Sequence, residues 1–314
     1  MIRIRALRGR LIIALVFALT GLQGCSPNYS DQAEQLKQTV AAKIATLGAQ
    51  VDGGRIANAL LVKTYADTLI QSKPNLKAVA ELLRKEGTSN GALYQNLNMR
   101  LSAVNLRPRD EREFTVSNEE LLSLDAAGDP VIYNDSLIDV VNTLADLSGG
   151  ELERVNIPAN ALTATVNGGA VPGSYLVGNP SYGQWQSDNR GGSFWRYYGQ
   201  YRLFSDLAFG PRYYRGAIGY NAWYGGGSRY SYYGDYGRQT YGSRGDRSYN
   251  QSRQQEMRSK GLKPSRPAKQ YGSAAGRARV SNYTQSRTTR TQTAAKRQSG
   301  LFGSSARASR AGGK

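Results

Sequence analysis

Residues 31–69, DQAEQLKQTVAAKIATLGAQVDGGRIANALLVKTYADTL, decide the class of the fold. Ala33, Leu36, Val40, Ile44, Leu47 and Val51 recur at steps of 3, 4, 4, 3 and 4, the apolar stripe of a helix. Asp31 and Glu34 stand at the spacing of a capping box. Gly53-Gly54 interrupts the stripe, and Ile56, Leu60, Leu61, Thr64, Tyr65 and Leu69 resume it. The same grammar continues downstream. Pro74 precedes a helix over Leu76 to Glu86 that stops at Gly87, and Leu93, Leu97, Leu101 and Val104 form another before Arg107-Pro108. Ser117 with Glu120 opens a short helix through Leu121, Leu122 and Leu124, and Asp135 to Leu147 makes a longer one that ends at Gly149-Gly150. Six amphipathic segments with short links predict a mainly α chain with a small helical bundle. An elongated helical stalk satisfies the same pattern, and the first segment also suits a coiled coil of about three heptads.

Charge divides the chain. Residues 26–170 hold 13 Lys/Arg and 18 Asp/Glu, whereas residues 171–314 hold 24 and 5. The formal charge of +18 therefore belongs to the second half and to the first ten residues, not to the helices. From Val171 the composition changes too, with all three Trp (Trp185, Trp195, Trp223) and 15 Tyr between Tyr175 and Tyr249. Gly or Pro recurs too often there for long helices or a regular sheet. One stretch, Ser193 to Leu207, reads as helical and would bring Trp195, Tyr198, Arg202 and Ser205 together. Residues 239–314 carry 17 Lys/Arg, two acids and few aliphatics, which predicts a disordered cationic tail.

The N-terminus has its own signature. Arg3, Arg5, Arg8 and Arg10 precede the apolar run LIIALVFALTGL over residues 11–22, an n-region and h-region of a signal peptide. A membrane-crossing helix needs about 20 apolar residues, so this run is short for that purpose. Leu22-Gln23-Gly24-Cys25 follows directly and contains the only Cys of the chain. These residues resemble the lipobox of bacterial lipoproteins. The resemblance covers the targeting segment alone and implies that residues 1–24 are removed, Cys25 is acylated and residues 25–30 form a lipidated tether. Ser26 after the Cys implies transport to the outer membrane, facing the periplasm. The alternative is a soluble secreted chain cut nearby. Two or three acyl chains at about 0.8 kcal/mol per buried methylene make a firm anchor.

The expected organisation is thus an acidic helical domain over 31–170, a Tyr/Trp/Gly/Arg-rich region over 171–238 and the tail over 239–314. With no His and one Cys, imidazole-based catalysis, an intramolecular disulfide and thiolate metal clusters are excluded. No G-x-G-x-x-G or G-K-[ST] phosphate loop is present, so no cofactor is implied. Asp110, Glu111, Glu113, Glu119 and Glu120 lie among Arg107, Arg109 and Arg112, the alternation of a solvated link rather than of an acid/base pair across a cleft.

The aromatic block with interleaved Arg admits three readings: a small irregular core against the helices, a binding face, or self-association. As a face, its candidate residues are Trp185, Trp195, Tyr198, Arg202, Tyr213, Tyr214 and Trp223. Tyr, Trp and Arg in this spacing suit single-stranded nucleic acid, but an exported, anchored protein meets little of it. The expected partners are the membrane through Cys25, cell-wall polymer, anionic lipids and other envelope proteins. The expected role is structural, scaffolding or polyanion-binding and non-catalytic, the alternatives being a carbohydrate-active or other carboxylate-dependent envelope enzyme and a surface protein that self-associates through its Tyr/Gly-rich block.

Overall fold

The computed structural model describes residues 28–155, 165–166, 169–170, 172–187, 191–209, 218–223 and 231–261. Cys25, the signal segment and residues 262–314 lie outside them. The described chain is a mainly α-helical bundle with an aromatic layer folded against it.

Helix α1 (Tyr29–Asp52) buries Ala33, Val40, Ile44, Leu47 and Val51, the stripe legible in the sequence. Its cap is Asn28, whose side-chain oxygen accepts from the Asp31 amide at 3.2 Å, rather than the Asp31/Glu34 box. Gly48 lets the ring of Tyr94 lie directly on the helix backbone, where a Cβ would collide with the hydroxyl. That hydroxyl donates to the Ile44 carbonyl at 3.0 Å. Helix α2 (Ala57–Ser72) has no side-chain cap of its own. Its second amide, on Asn58, instead donates to Oδ1 of Asn134 at 2.8 Å, and the Asn58 side chain donates to the Asn134 carbonyl at 2.6 Å. A buried orphan of the helix start is thereby satisfied from a helix 76 positions on.

Pro74–Leu76 and Lys85–Gly87 are 3₁₀ turns flanking α3 (Lys77–Arg84), and α4 spans Ala92–Ser102. Helix α5 (Glu111–Ala127) starts earlier than the Ser117/Glu120 spacing predicts. Asp110 caps it by accepting from the Glu113 amide at 2.8 Å, and Ser117 is buried mid-helix, donating to the Asn105 carbonyl at 2.9 Å. Of the charged residues read as a link, Asp110 is the cap and Glu111, Arg112 and Glu113 open the helix, with the two acids at its positive end, while Glu119 and Glu120 lie within it. The expected helix over 135–147 is also two pieces, α6 (Pro130–Ser136), capped by Asp129, and α7 (Ile138–Leu147). Helix α7 is buried all round, which makes it the centre of the bundle.

Past the bundle, two-residue strands β1 (Thr165–Val166) and β2 (Gly169–Ala170) pair antiparallel. A 3₁₀ turn, Ser174–Leu176, packs on α7, and β3 (Gly183–Ser187) pairs antiparallel with β4 (Ser193–Tyr197). The predicted helix over 193–207 is thus a strand, a 3₁₀ turn at Gly199–Tyr201 and helix α8 (Arg202–Phe209). Alternating burial of Ser193, Trp195 and Tyr197 drives the strand. A π-helical turn, Tyr233–Gly237, runs into Arg238–Thr240. Helix α9 (Arg244–Ser259) then follows where a disordered tail was expected from residue 239. Its start is a full capping box between Ser243 and Asp246, and it buries Asn250 and Met257. The cap and a narrow contact stripe hold a helix that charge composition alone hides.

Candidate functional site

The tryptophans do not form an open face. Trp185 stands opposite Trp195 across the β3–β4 hairpin, with ring centroids 5.2 Å apart, and meets Tyr220 at 5.0 Å and Trp223 at 5.3 Å. Trp223 is 0% and Trp195 5% exposed, while Trp185 is half-buried. Gly178, at φ +85°, passes the indole of Trp223 where a side chain has no room. The guanidinium of Arg238 lies 5.3 Å from the Trp223 ring and that of Arg253 5.3 Å from the Tyr220 ring. These rings are the interior of the aromatic layer. Of the seven candidate face residues, Tyr198 and Arg202 are exposed. Tyr213 and Tyr214 lie outside the described residues, as does the lipidation candidate Cys25.

Two buried carboxylates that the sequence reading passed over join the layer to the bundle. Glu86 is fully buried in the turn after α3. Its Oε1 accepts from the Ala92 amide at 2.9 Å and the Tyr201 hydroxyl at 2.9 Å. Its Oε2 accepts from the Leu93 amide at 3.1 Å and the Tyr182 hydroxyl at 3.2 Å. The carboxylate thus caps α4 and holds two tyrosines from the second half of the chain. Burial pushes its carboxyl above the usual range, and the four donors draw it back in part.

Asp139, inside α7, does the same on another side. It accepts from the Tyr232 amide at 2.7 Å, the Tyr233 amide at 2.9 Å and the Ser231 hydroxyl at 3.2 Å. Burial raises its carboxyl to about 7 against those bonds. A third seam is ionic. Arg100 Nε meets Glu120 Oε1 at 2.7 Å, and Arg247 of α9 reaches Glu120 Oε2 at 3.2 Å. Arg100 also donates to the Thr240 carbonyl at 3.1 Å. Glu120, grouped in sequence with solvated acids, is the hinge of this network.

One open groove lies along the Glu86 seam, with a volume of about 440 Å³. Helix α4 and the turn before it form one wall, through Lys85, Asn90, Gln95 and Met99; Ser181, Tyr198 and Gln200 form the other. Glu86 is the one carboxylate of its lining. With both oxygens engaged by four donors it holds the walls together rather than offering a free acid or base. Among the described residues, no group of three or more Asp, Glu or Cys is placed to hold a metal ion. No described helix is long and apolar enough to cross a membrane.

The signal that marks Glu86 and Asp139 is present but weak in sequence. Each is an acid embedded in an apolar helical stripe, Glu86 after Leu82-Leu83 and Asp139 between Ile138 and Val140. No known family, no curated protein and no solved structure matches this chain.

Proposed function

We propose that the protein is a lipid-anchored lipoprotein of the bacterial cell envelope, placed on the outer membrane toward the periplasm. In this reading its folded body is a non-catalytic scaffold, and its basic C-terminal segment holds envelope polyanions such as cell-wall polymer or anionic lipid. The carrying observation is positional. The first described helix opens at Tyr29, four positions after Cys25 in the sequence, and α9 ends at Ser259. Residues 262–314 then contain 12 Lys/Arg and no acid. The charge excess therefore sits at the far end of the chain from the lipid, with the folded body between them.

Burial of Trp195 and Trp223 in the aromatic layer favours the cationic segment over the tryptophans as the contact with partners. A segment of 53 residues with that composition has little apolar surface to bury and many cations to present. Each cation near an anionic surface contributes about 1 kcal/mol, falling off beyond about 8 Å at physiological salt. Many weak contacts suffice because a lipid anchor supplies high local concentration.

Two measurements test this. Labelling with a radioactive fatty acid should mark the parent chain and not Cys25→Ala; equal label ends the lipoprotein reading. Cosedimentation with anionic vesicles, and the salt-sensitive part of that with isolated cell-wall sacculi, should weaken steeply between about 50 and 200 mM salt and vanish on deletion of residues 262–314. Vesicle binding that survives the deletion overturns the tether.

A further inference from the structure

We propose that the groove between α4 and the Pro180–Tyr201 segment is a binding site for a saccharide chain bearing acetamido groups. Its lining is dominated by neutral hydrogen-bonding groups and exposed apolar surface. Gln95 donates to the Ser89 carbonyl at 2.7 Å, and Asn96 donates to the Ser181 hydroxyl at 3.1 Å. These bonds fix the two amides and leave their oxygens as acceptors. Asn90 and Gln200 add two more exposed amides at the rim. An amide pairs a donor with an acceptor at the spacing of neighbouring sugar hydroxyls or of an acetamido N–H and C=O.

Tyr198 is 40% exposed and Met99 63% exposed, and both line the groove. A tyrosine ring offers a flat apolar face with a polar edge, the surface on which the C–H face of a pyranose lies. The Met99 thioether gives an acetamido methyl an apolar partner. The floor offers no free acid, because four donors occupy the oxygens of Glu86, and Lys85 sets a single exposed cation on the wall. At about 440 Å³ the groove falls within the roughly 300–1,000 Å³ of small-ligand sites. Its open form suits a segment of a longer chain. The walls are held in register by the two tyrosine hydroxyls on Glu86, so the site is preformed rather than assembled on binding.

This site lies on the folded body and does not depend on acylation of Cys25 or on the basic segment. The test uses the full chain in a sugar-free detergent, titrated calorimetrically with the tetrasaccharide of N-acetylglucosamine and with that of glucose. The acetamido oligomer should bind at least about tenfold tighter, with little dependence on salt, which separates the groove from the cationic segment. Tyr198→Ala should weaken binding about tenfold or more while the chain still melts in one cooperative transition, because that side chain is 40% exposed and stands outside the core. Met99→Glu, at a second exposed position, should remove the preference for the acetamido oligomer. Equal affinity for both sugars, absence of binding, or binding that neither variant alters would each overturn the proposal.

Discussion

The hydroxyl of Tyr201 donates to Oε1 of Glu86 at 2.9 Å, although the two residues are 115 positions apart. That bond and its neighbour from Tyr182 turn a buried charge, which would cost several kcal/mol alone, into a joint between the helical bundle and the aromatic layer. The helix-start amides of Ala92 and Leu93 complete the set. One carboxylate therefore caps a helix and fastens a distant segment to it.

Removing either hydroxyl should be felt throughout the body. Tyr201→Phe and Tyr182→Phe should each destabilise by about 1.5–3 kcal/mol, the range for a hydrogen bond to a charged group. Urea unfolding is the readout. Because both donors share one acceptor, the double variant should depart from the sum of the singles. Additive effects would mean that the two tyrosines act separately and that Glu86 does not couple them.

Asp139 makes stability depend on pH in an unusual direction. Its folded-state value of about 7 lies above the unfolded value of about 3.9. The folded state thus holds an extra proton between those limits, and stability falls as pH rises from about 4 to about 7. The loss attributable to this group is at most about 4 kcal/mol. Ser231 provides for both forms. Its hydroxyl lies 3.2 Å from Asp139 Oδ2 and 3.1 Å from the Tyr175 carbonyl. It donates to the carboxylate when Asp139 is charged, and to Tyr175 while accepting from the protonated acid. Urea midpoints across this pH range should decline in the parent, and Asp139→Asn should flatten the slope. An equal slope in both proteins would remove Asp139 as the cause.

How much of this could be read from sequence depends on the range of the interaction. The α1 stripe from Ala33 to Val51 and the stops at Gly53-Gly54 and Gly149-Gly150 are local, and the helices follow them. Ser117 misleads because serine at capping spacing looks the same inside a helix, where its hydroxyl bonds back to Asn105. Helix α9 is hidden because its composition is polar, while its stability rests on Met257, on the Ser243–Asp246 cap and on Arg247 reaching Glu120. Among the candidate site residues, aromatic chemistry marks Trp195 and Trp223 equally well as core or as face, and burial decides for core. Tyr198 carries the same signature and stays exposed, because it stands where β4 hands over to a 3₁₀ turn. Asp139 gains its partners from 92 to 94 residues away, and Glu86, beyond the nearby amides of Ala92 and Leu93, from hydroxyls 96 and 115 residues away, which no local pattern encodes.

The ionic seam should fail asymmetrically. Glu120→Ala leaves the buried guanidinium of Arg100 and the largely buried one of Arg247 without their shared acid. The expected cost is about 3 kcal/mol. Arg247→Met leaves Glu120 paired with Arg100, so it should cost less, about 1 kcal/mol. Thermal midpoints of the two variants give the comparison, and a larger loss for Arg247→Met than for Glu120→Ala would contradict the arrangement.

The unit of folding is set by the same contacts. In a fragment of residues 28–155, Glu86 loses the hydroxyls of Tyr182 and Tyr201, and Asp139 loses all three of its donors. The face of α7 covered by Ser174–Leu176 becomes exposed as well. Two buried carboxylates without their donors and an uncovered apolar face leave the bundle helical but loosely packed. That fragment should show a helical far-ultraviolet spectrum and a broad, non-sigmoidal melt. Residues 28–261 should melt in one sharp transition. The full chain should share its midpoint, since residues 262–314 are cationic and almost free of aliphatics. A sharp melt of 28–155 at the midpoint of 28–261 would show instead that the aromatic layer rests on a bundle already complete.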